Sequence, residues 1–327
     1  MRDELLDILC CPLCKTDLRL TEAFRYGGEI EAGVLTCAVC GREFSVTESI
    51  PRFVAVKKYA DSFGFQWNQF RRTQLDSHSG VPISRDRFFQ ETGWLPEELY
   101  DRWVLDVGCG AGRFAEIALS CGARVIALDY SGAVDACREN LQHWKNLDVV
   151  QGDIYHLPIK MASMDYVYCF GVLQHTPNVR GAFMALPGLL RDGGRLAVDV
   201  YAKSPLNLLW SKYWIRLVTR RLPPRTLVRI VRGMVQTLFP VSLRIGRIPR
   251  IGRRLRYLIP VANYDGVLPL SSGQLREWAV LDTFDMLAAR YDKPQSVDAL
   301  HRWFHAAGLS DIEVFRRGLV VGRGTRK

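Results

Sequence analysis

Short apolar runs recur along the middle of the chain, and each ends at a glycine or an acid. Val104-Leu105-Asp106-Val107 stops at Gly108, Val125-Ile126-Ala127-Leu128 stops at Asp129, and Leu147 to Val150 runs into Gln151-Gly152-Asp153. Met164 to Tyr168 leads to Cys169-Phe170-Gly171, and Leu196-Ala197-Val198 follows Gly193-Gly194. Runs of this length between turn residues predict buried strands. After the first run, Phe114, Ile117, Ala118 and Cys121 recur at helical spacing, and Ser131 predicts the cap of a second helix reaching Asn140. Strands and helices in alternation predict an α/β sheet. Near the end, Ser296 opens a helical pattern to Ala307 with Gly308 after it, and Ile312 to Phe315 and Leu319 to Val321 read as two further strands.

The turn after the first strand carries chemistry. Gly108, Gly110 and Gly112 alternate with Cys109 and Ala111, so the main chain is bare where a helix N-terminus offers free N–H groups. A dinucleotide fold wants G-x-G-x-x-G. Here the glycines are closer, and Asp106 stands two residues before the first of them. Asp129, about 20 residues on, is placed to accept ribose hydroxyls from either kind of cofactor. Asp153 lies at the end of the third strand, where a dinucleotide fold requires no acid. With the loop from Cys169 to Pro177 and the turn and strand from Leu189 to Val198, these motifs resemble the class I S-adenosylmethionine (SAM) methyltransferases. The resemblance implies a Rossmann-like, seven-stranded sheet. It also implies that Asp106 and the turn with Cys109 hold the methionine end of SAM. The ribose would sit on Asp129 beside Tyr130, and the adenine on Asp153 beside Ile154. The acceptor would lie past Phe170.

Five of the nine cysteines fall in the first 40 residues. Cys11-Pro12-Leu13-Cys14 and Cys37-Ala38-Val39-Cys40 are two C-x₂-C pairs, which predict one closed tetrahedral Zn²⁺ site. Cys10 is the spare thiol. With Ile50-Pro51 at its end, the stretch 1–55 resembles a zinc ribbon of the Trm112 type, for which a structural role and direct substrate contact are both open.

Residues 56–100 crowd Tyr59, Phe63, Phe65, Trp67 and Phe70 around Gln66 and Asn68. They read either as an aromatic helix packed on the main domain or as a lid over SAM and substrate. The stretch from Phe63 to Asp76 resembles a pre-domain of methyltransferases from glycan and natural-product gene clusters. Ser84 reads as the N-cap of a helix to Thr92, and Pro96 to Tyr100 as a short turn. Residues 101–200 and 296–327 form the SAM-binding domain, and 201–295 interrupt it.

The interruption changes the charge picture. The chain carries a formal +10, yet no Asp or Glu occurs between Asp199 and Asp265, a stretch with two lysines and twelve arginines. Leu206, Leu209, Trp210, Tyr213, Trp214, Leu217 and Val218 follow helical spacing up to Pro223-Pro224. Leu227, Ile230, Val231, Met234, Val235 and Leu238 resume it, and Pro240 is expected to stop it. Such basic amphipathic helices are expected over 203–256 as a cap with a solvated face, a surface for anionic lipid, or, less favoured, for nucleic acid. Asp282-Thr283-Phe284-Asp285, within a helix read from Trp278, are placed to face the pocket.

No apolar run reaches 18 residues, and Met1-Arg2-Asp3-Glu4 does not open a signal peptide, so a reduced, cytoplasmic compartment is expected, with contact at the inner face of a membrane through 203–256. Transfer of a methyl to a hydroxyl calls for a general base. His175, just past the fourth strand, is the candidate, since histidine changes charge near neutral pH. A loop-ordering role bonded to backbone is the other reading of His175. The expected activity is SAM-dependent methyl transfer to a glycan, a lipid-linked sugar or a related small molecule. An RNA methyltransferase and a SAM-binding scaffold without turnover are the alternatives.

Overall fold

In the computed structural model, which describes residues 1–54, 60–204 and 211–327, one sheet of 11 strands runs through the molecule. Tyr59, Leu206, Leu209 and Trp210 lie outside the described residues, as do the side chains at 61, 253, 254 and 257. The N-terminal part forms β1 (Leu18–Tyr26), β2 (Glu29–Cys37), β3 (Glu43–Thr47) and β4 (Ile50–Arg52). The α/β part forms β5 (Trp103–Val107), β6 (Arg124–Asp129), β7 (Leu147–Gln151), β8 (Met164–Cys169), β9 (Leu190–Val200), β10 (Leu309–Arg317) and β11 (Leu319–Arg326). Their order is β1-β2-β3-β4-β7-β6-β5-β8-β9-β11-β10. From β7 onward this is the seven-stranded sheet expected, with β11 inserted antiparallel between β9 and β10.

The departure is at the other edge. β4 pairs in parallel with β7 at Arg52 and Gln151, and the Phe53 N–H donates to the Gln151 carbonyl at 2.8 Å. An edge strand leaves a row of unpaired N–H and C=O groups, and the ribbon strands cover this one. Side chains fix the junction. The Arg2 guanidinium donates to Asp148 Oδ2 at 2.6 and 2.9 Å, and the Arg2 N–H donates to Oδ1 at 3.0 Å. Asp148 is fully buried there. Arg138 meets Glu29 and Arg52 meets Asp135, both at 2.7 Å.

The helices are α1 (Asp61–Gln69), α2 (Asp76–Ser79), α3 (Ile83–Thr92), α4 (Ala115–Ser120), α5 (Ala133–Leu141), α6 (Val179–Met184), α7 (Ser211–Thr219), α8 (Pro224–Gly246), α9 (Gly252–Leu255), α10 (Ser272–Ala288) and α11 (Val297–Ala306). Apolar residues from both faces of the sheet are buried, with Phe88, Ile117 and Val134 on one side and Phe183, Leu300 and Phe304 on the other. A third core binds α1, α8 and α10 through Phe70, Leu227, Val231, Val235, Leu275 and Ala279.

Several helix ends differ from expectation. Ser84 lies inside α3 and donates its hydroxyl to the Gln74 carbonyl at 2.9 Å. Asp76 takes the capping role, accepting from the Ser84 and Arg85 N–H groups, each at 2.8 Å. Asp76 lies outside the helical period, so spacing could not reveal it. Ser131 sits one residue further out than a cap, though its hydroxyl still accepts from Ala133 N–H at 3.2 Å. Pro240 does not stop α8, which continues to Gly246. Phe239 and Ser242 on either side of the proline are buried, so packing outweighs the lost N–H. α10 begins at Ser272, before Trp278, because Ser271 and Gln274 form a capping box. Among the described residues no helix is long and apolar enough to cross a membrane.

Candidate active site

The glycine turn is gripped from two sides. Gly108 has φ +86°, and a Cβ there would lie 2.2 Å from Val172 of the loop after β8. A Cβ on Gly110 would lie 3.0 Å from the Trp67 ring of α1. Part of the bare space is therefore filled by this chain's own side chains, and Trp67 of α1 packs against the turn.

Asp129 ends β6 with its carboxylate oriented. Oδ2 accepts the Gly110 N–H at 3.0 Å, and Oδ1 accepts the N–H and the hydroxyl of Ser131, both at 2.7 Å. A carboxylate offers about four lone-pair positions, so these bonds aim it without exhausting it. Asp106 is placed differently. It is 2% exposed, sits behind the turn, and its Oδ2 lacks a hydrogen-bond partner among the described residues. Burial pushes its carboxyl up to about 8, against the opposing pull of the neighbouring Tyr168 hydroxyl. The unfolded chain gives up this proton near its ordinary 3.8 and the folded chain holds it until about 8. Stability from this group is thus full at low pH and is lost as pH rises through that window. Asp106→Asn is expected to flatten the fall in melting temperature between about pH 5 and pH 8, the upper part of that window. Parallel melting curves for the two proteins across that range would refute the assignment.

A cavity of about 1210 Å³ opens beside the turn. A single small ligand commonly occupies roughly 300–1,000 Å³, so donor and acceptor fit together. One end is lined by Gly108, Cys109, Gly110, Asp129 and Tyr130, with Ile154 and Phe170. Asp153 stands off the wall between two lining residues, and its Oδ1 accepts the Tyr155 N–H at 3.0 Å. α1 adds Phe63, Gln66 and Trp67. Gln66 is 1% exposed, and neither end of its amide has a partner among the described residues.

The far end belongs to the cap. Asp282 and Asp285 line it from α10, as their spacing predicts, whereas Thr283 and Phe284 are buried. The Tyr264 hydroxyl donates to Asp282 Oδ2 at 2.5 Å, and Gln74 Nε2 donates to Oδ1 at 3.3 Å. Burial raises Asp282 to about 6, with the Tyr264 hydrogen bond opposing. Burial also raises Asp285, with His175 and Lys212 opposing. Gln74 Oε1 accepts from Arg113 at 3.1 Å, so the segment after α1, the helix-entry arginine Arg113 and α10 share one network. Arg87 pairs with buried Asp199, whose Oδ1 accepts the Gly171 N–H at 2.5 Å and fixes the loop after β8. Tyr201, Tyr264, Arg87 and Asp199 were not legible from the sequence, because they lie outside any motif and meet the site only through tertiary packing.

His175 is in the cavity wall, 8% exposed, between the rings of Phe63 and Tyr201 at 5.2 and 5.3 Å. Its Nδ1 lies 2.9 Å from the Tyr291 carbonyl. A carbonyl only accepts, so Nδ1 is assigned the proton and Nε2 keeps its lone pair. The backbone bond therefore selects the tautomer a base needs.

The four N-terminal thiols converge. Cys11, Cys14, Cys37 and Cys40 place their Sγ atoms within 4.8 Å of one another, with Cys11 and Cys40 at 3.8 Å. A tetrahedral Zn²⁺ with Zn–S near 2.3 Å sets S···S at roughly 3.8 Å, so the set fits that ion. The Cys40 N–H and the Thr16 hydroxyl, at 3.5 and 3.4 Å from Cys37 Sγ, hold its thiol down to about 6. Among the described residues none of 1–54 lines the cavity.

Residues 105–198 match the model of the methyltransferase domain, and residues 2–49 match that of Trm112p-like proteins. Over 160 residues the chain is 31% identical to the biotin biosynthesis bifunctional protein BioHC of Cellvibrio japonicus, covering 49% of this chain and 30% of that one. Over 143 residues it is 29% identical to the ubiquinone biosynthesis O-methyltransferase of Acinetobacter baumannii, covering 41% and 59%. Among solved structures, it is similar to magnesium protoporphyrin IX methyltransferase of Synechocystis with bound S-adenosylhomocysteine. There the identity is 14% and the TM-score 0.45, over 82% of this chain and 97% of that one.

Proposed function

The chain joins a Trm112-like domain to a SAM-dependent methyltransferase domain of class I fold, and we propose that it transfers a methyl group to a hydroxyl of a small glycan, a lipid-linked sugar or a related metabolite. The observation that carries this reading is the single cavity shared by the glycine turn, Asp129 and His175. SAM, when bound, would supply a methyl activated on a sulfonium, with neutral S-adenosylhomocysteine as the leaving group when the acceptor oxygen takes the methyl. The chain's residues do the rest. Asp129, itself aimed by the Gly110 N–H, orients the donor. Trp67 and Phe63 keep water from the methyl. Nε2 of His175 takes the hydroxyl proton, and Asp285 beside it favours the imidazolium that results. Asp282, with the Tyr264 hydroxyl oxygen beside it, offers acceptors for further hydroxyls.

Asp129→Ala tests the donor half. Calorimetric titration is expected to show SAM binding weaker by roughly 1–3 kcal/mol, the scale of a lost charged hydrogen bond. An unchanged affinity sinks the assignment.

A further inference from the structure

α7 turns the wrong face to the protein. Its inner side carries Lys212, Arg216 and Thr219, each 8% exposed. Lys212 and Arg216 reach Asp292 at 3.1 and 2.8 Å, and Thr219 donates to the Leu287 carbonyl at 2.9 Å. Its outer side carries Trp214, Leu217 and Val218, which are 66, 52 and 66% exposed. Their spacing of i, i+3 and i+4 makes them one continuous stripe. A surface helix ordinarily sends that stripe to the core. Here the charges go inward and the stripe meets solvent, the mark of a surface with a partner.

The charges around the stripe identify the partner. Arg220 and Arg221 follow it directly, and Arg225, Arg229 and Arg232 share one face of α8. All five are exposed, and none meets an acid among the described residues. Tryptophan beside arginine, with leucine and valine, suits the boundary between headgroups and acyl chains. The same elements border the cavity. Lys212 and Tyr213 line it one step from Trp214, and Leu258 and Val267, 63 and 58% exposed, stand at its mouth.

We infer that α7 rests in the boundary of an anionic membrane, with the arginines on lipid phosphates, and that the acceptor is an amphiphile presented from that membrane to the cavity. The surface stands on the stripe of α7 and the arginines beside it, independently of the activity. The acceptor rests on the methyltransferase reading above.

The test uses the full-length protein with vesicles of phosphatidylcholine alone, and of phosphatidylcholine and phosphatidylglycerol in about equal parts. Flotation is expected to carry the protein with the anionic vesicles only, and less so as salt rises. Replacing Arg225, Arg229 and Arg232 by Gln should weaken the partition by roughly fivefold per arginine. The double variant Trp214→Ser, Val218→Ser should lose it while keeping SAM affinity, which also shows that the variant folds. Three results overturn the surface: no partition at low salt, equal partition by the variants, or tight RNA binding without vesicle binding. A dimer in solution that the double variant dissolves also overturns it, since a second copy then covers the stripe. Calorimetry with SAM separates the two ideas. Vesicle binding without SAM binding leaves the surface standing and removes the proposed activity, and the reverse removes the surface alone.

Discussion

Replacing His175 by Ala is expected to lower kcat by roughly 10²- to 10⁴-fold, the range for loss of a positioned general base. SAM affinity is expected to hold, because the imidazole is spent on the acceptor side of the cavity. The bond to backbone that a loop-ordering role requires is present, and the same bond serves the proposed base. Nδ1–H donates to the Tyr291 carbonyl at 2.9 Å, which leaves Nε2 as the acceptor. Added imidazole should restore part of the rate, since it supplies the lost base to a site that is otherwise intact. A variant with full kcat would refute the role and leave His175 as a residue that orders the loop. Asp285→Asn should cost less, because that carboxylate acts through the imidazole and does not touch the proton in flight.

Removing the metal should have the second large effect. Purified protein is expected to contain about one zinc per chain, with Cys11, Cys14, Cys37 and Cys40 as ligands. Zinc binding in small ribbons is worth roughly 10–16 kcal/mol in apparent terms, a large term beside the buried apolar residues of this one, among them Leu9, Ile30 and Leu35. Cys37→Ser or a strong chelator should therefore unfold the ribbon. The damage spreads through Asp148, a fully buried carboxylate whose partner is Arg2 of the ribbon. An uncompensated buried charge costs about 3–5 kcal/mol, so the methyltransferase part should melt on the order of 10 °C lower. Elemental analysis with melting curves decides it. A metal-free chain with an unchanged melting temperature would show that the cysteines hold no structural ion.

Sequence periodicity and motif spacing reveal the local parts of this molecule and miss the assembled ones. The strands from Trp103 to Val200 are short apolar runs between glycines and acids, so both their existence and their order could be read. Asp129, His175 and the four thiols were legible because each is bound to a motif of fixed spacing. Asp282 and Asp285 were legible as a pair, since residues three apart share a helix face. The continuation of the sheet through β4 was not, because Ile50–Arg52 is too short to announce a partner. The burial of Asp106 was not legible, because the motif sets the acid beside the turn while packing keeps its side chain out of the cavity wall. The inward charges of α7 were also hidden, since Lys212 and Arg216 read as solvated until Asp292 appears opposite them. Pro240 shows the limit of local rules, as tertiary packing carries α8 past it.

The pairing of β4 with β7 also governs how the chain assembles. Arg52 and Gln151 are 99 positions apart, so the ribbon is made well before its sheet partner exists. During synthesis the thiols can collect zinc while residues 147–151 are still absent, and the edge at β4 stays open through that interval. Contacts of such long sequence separation form late, because the loop must be closed before the pairing rewards it. The metal therefore does more than stabilise the finished protein. It holds a preformed strand ready on the early part of the chain, in the register its late partner must meet.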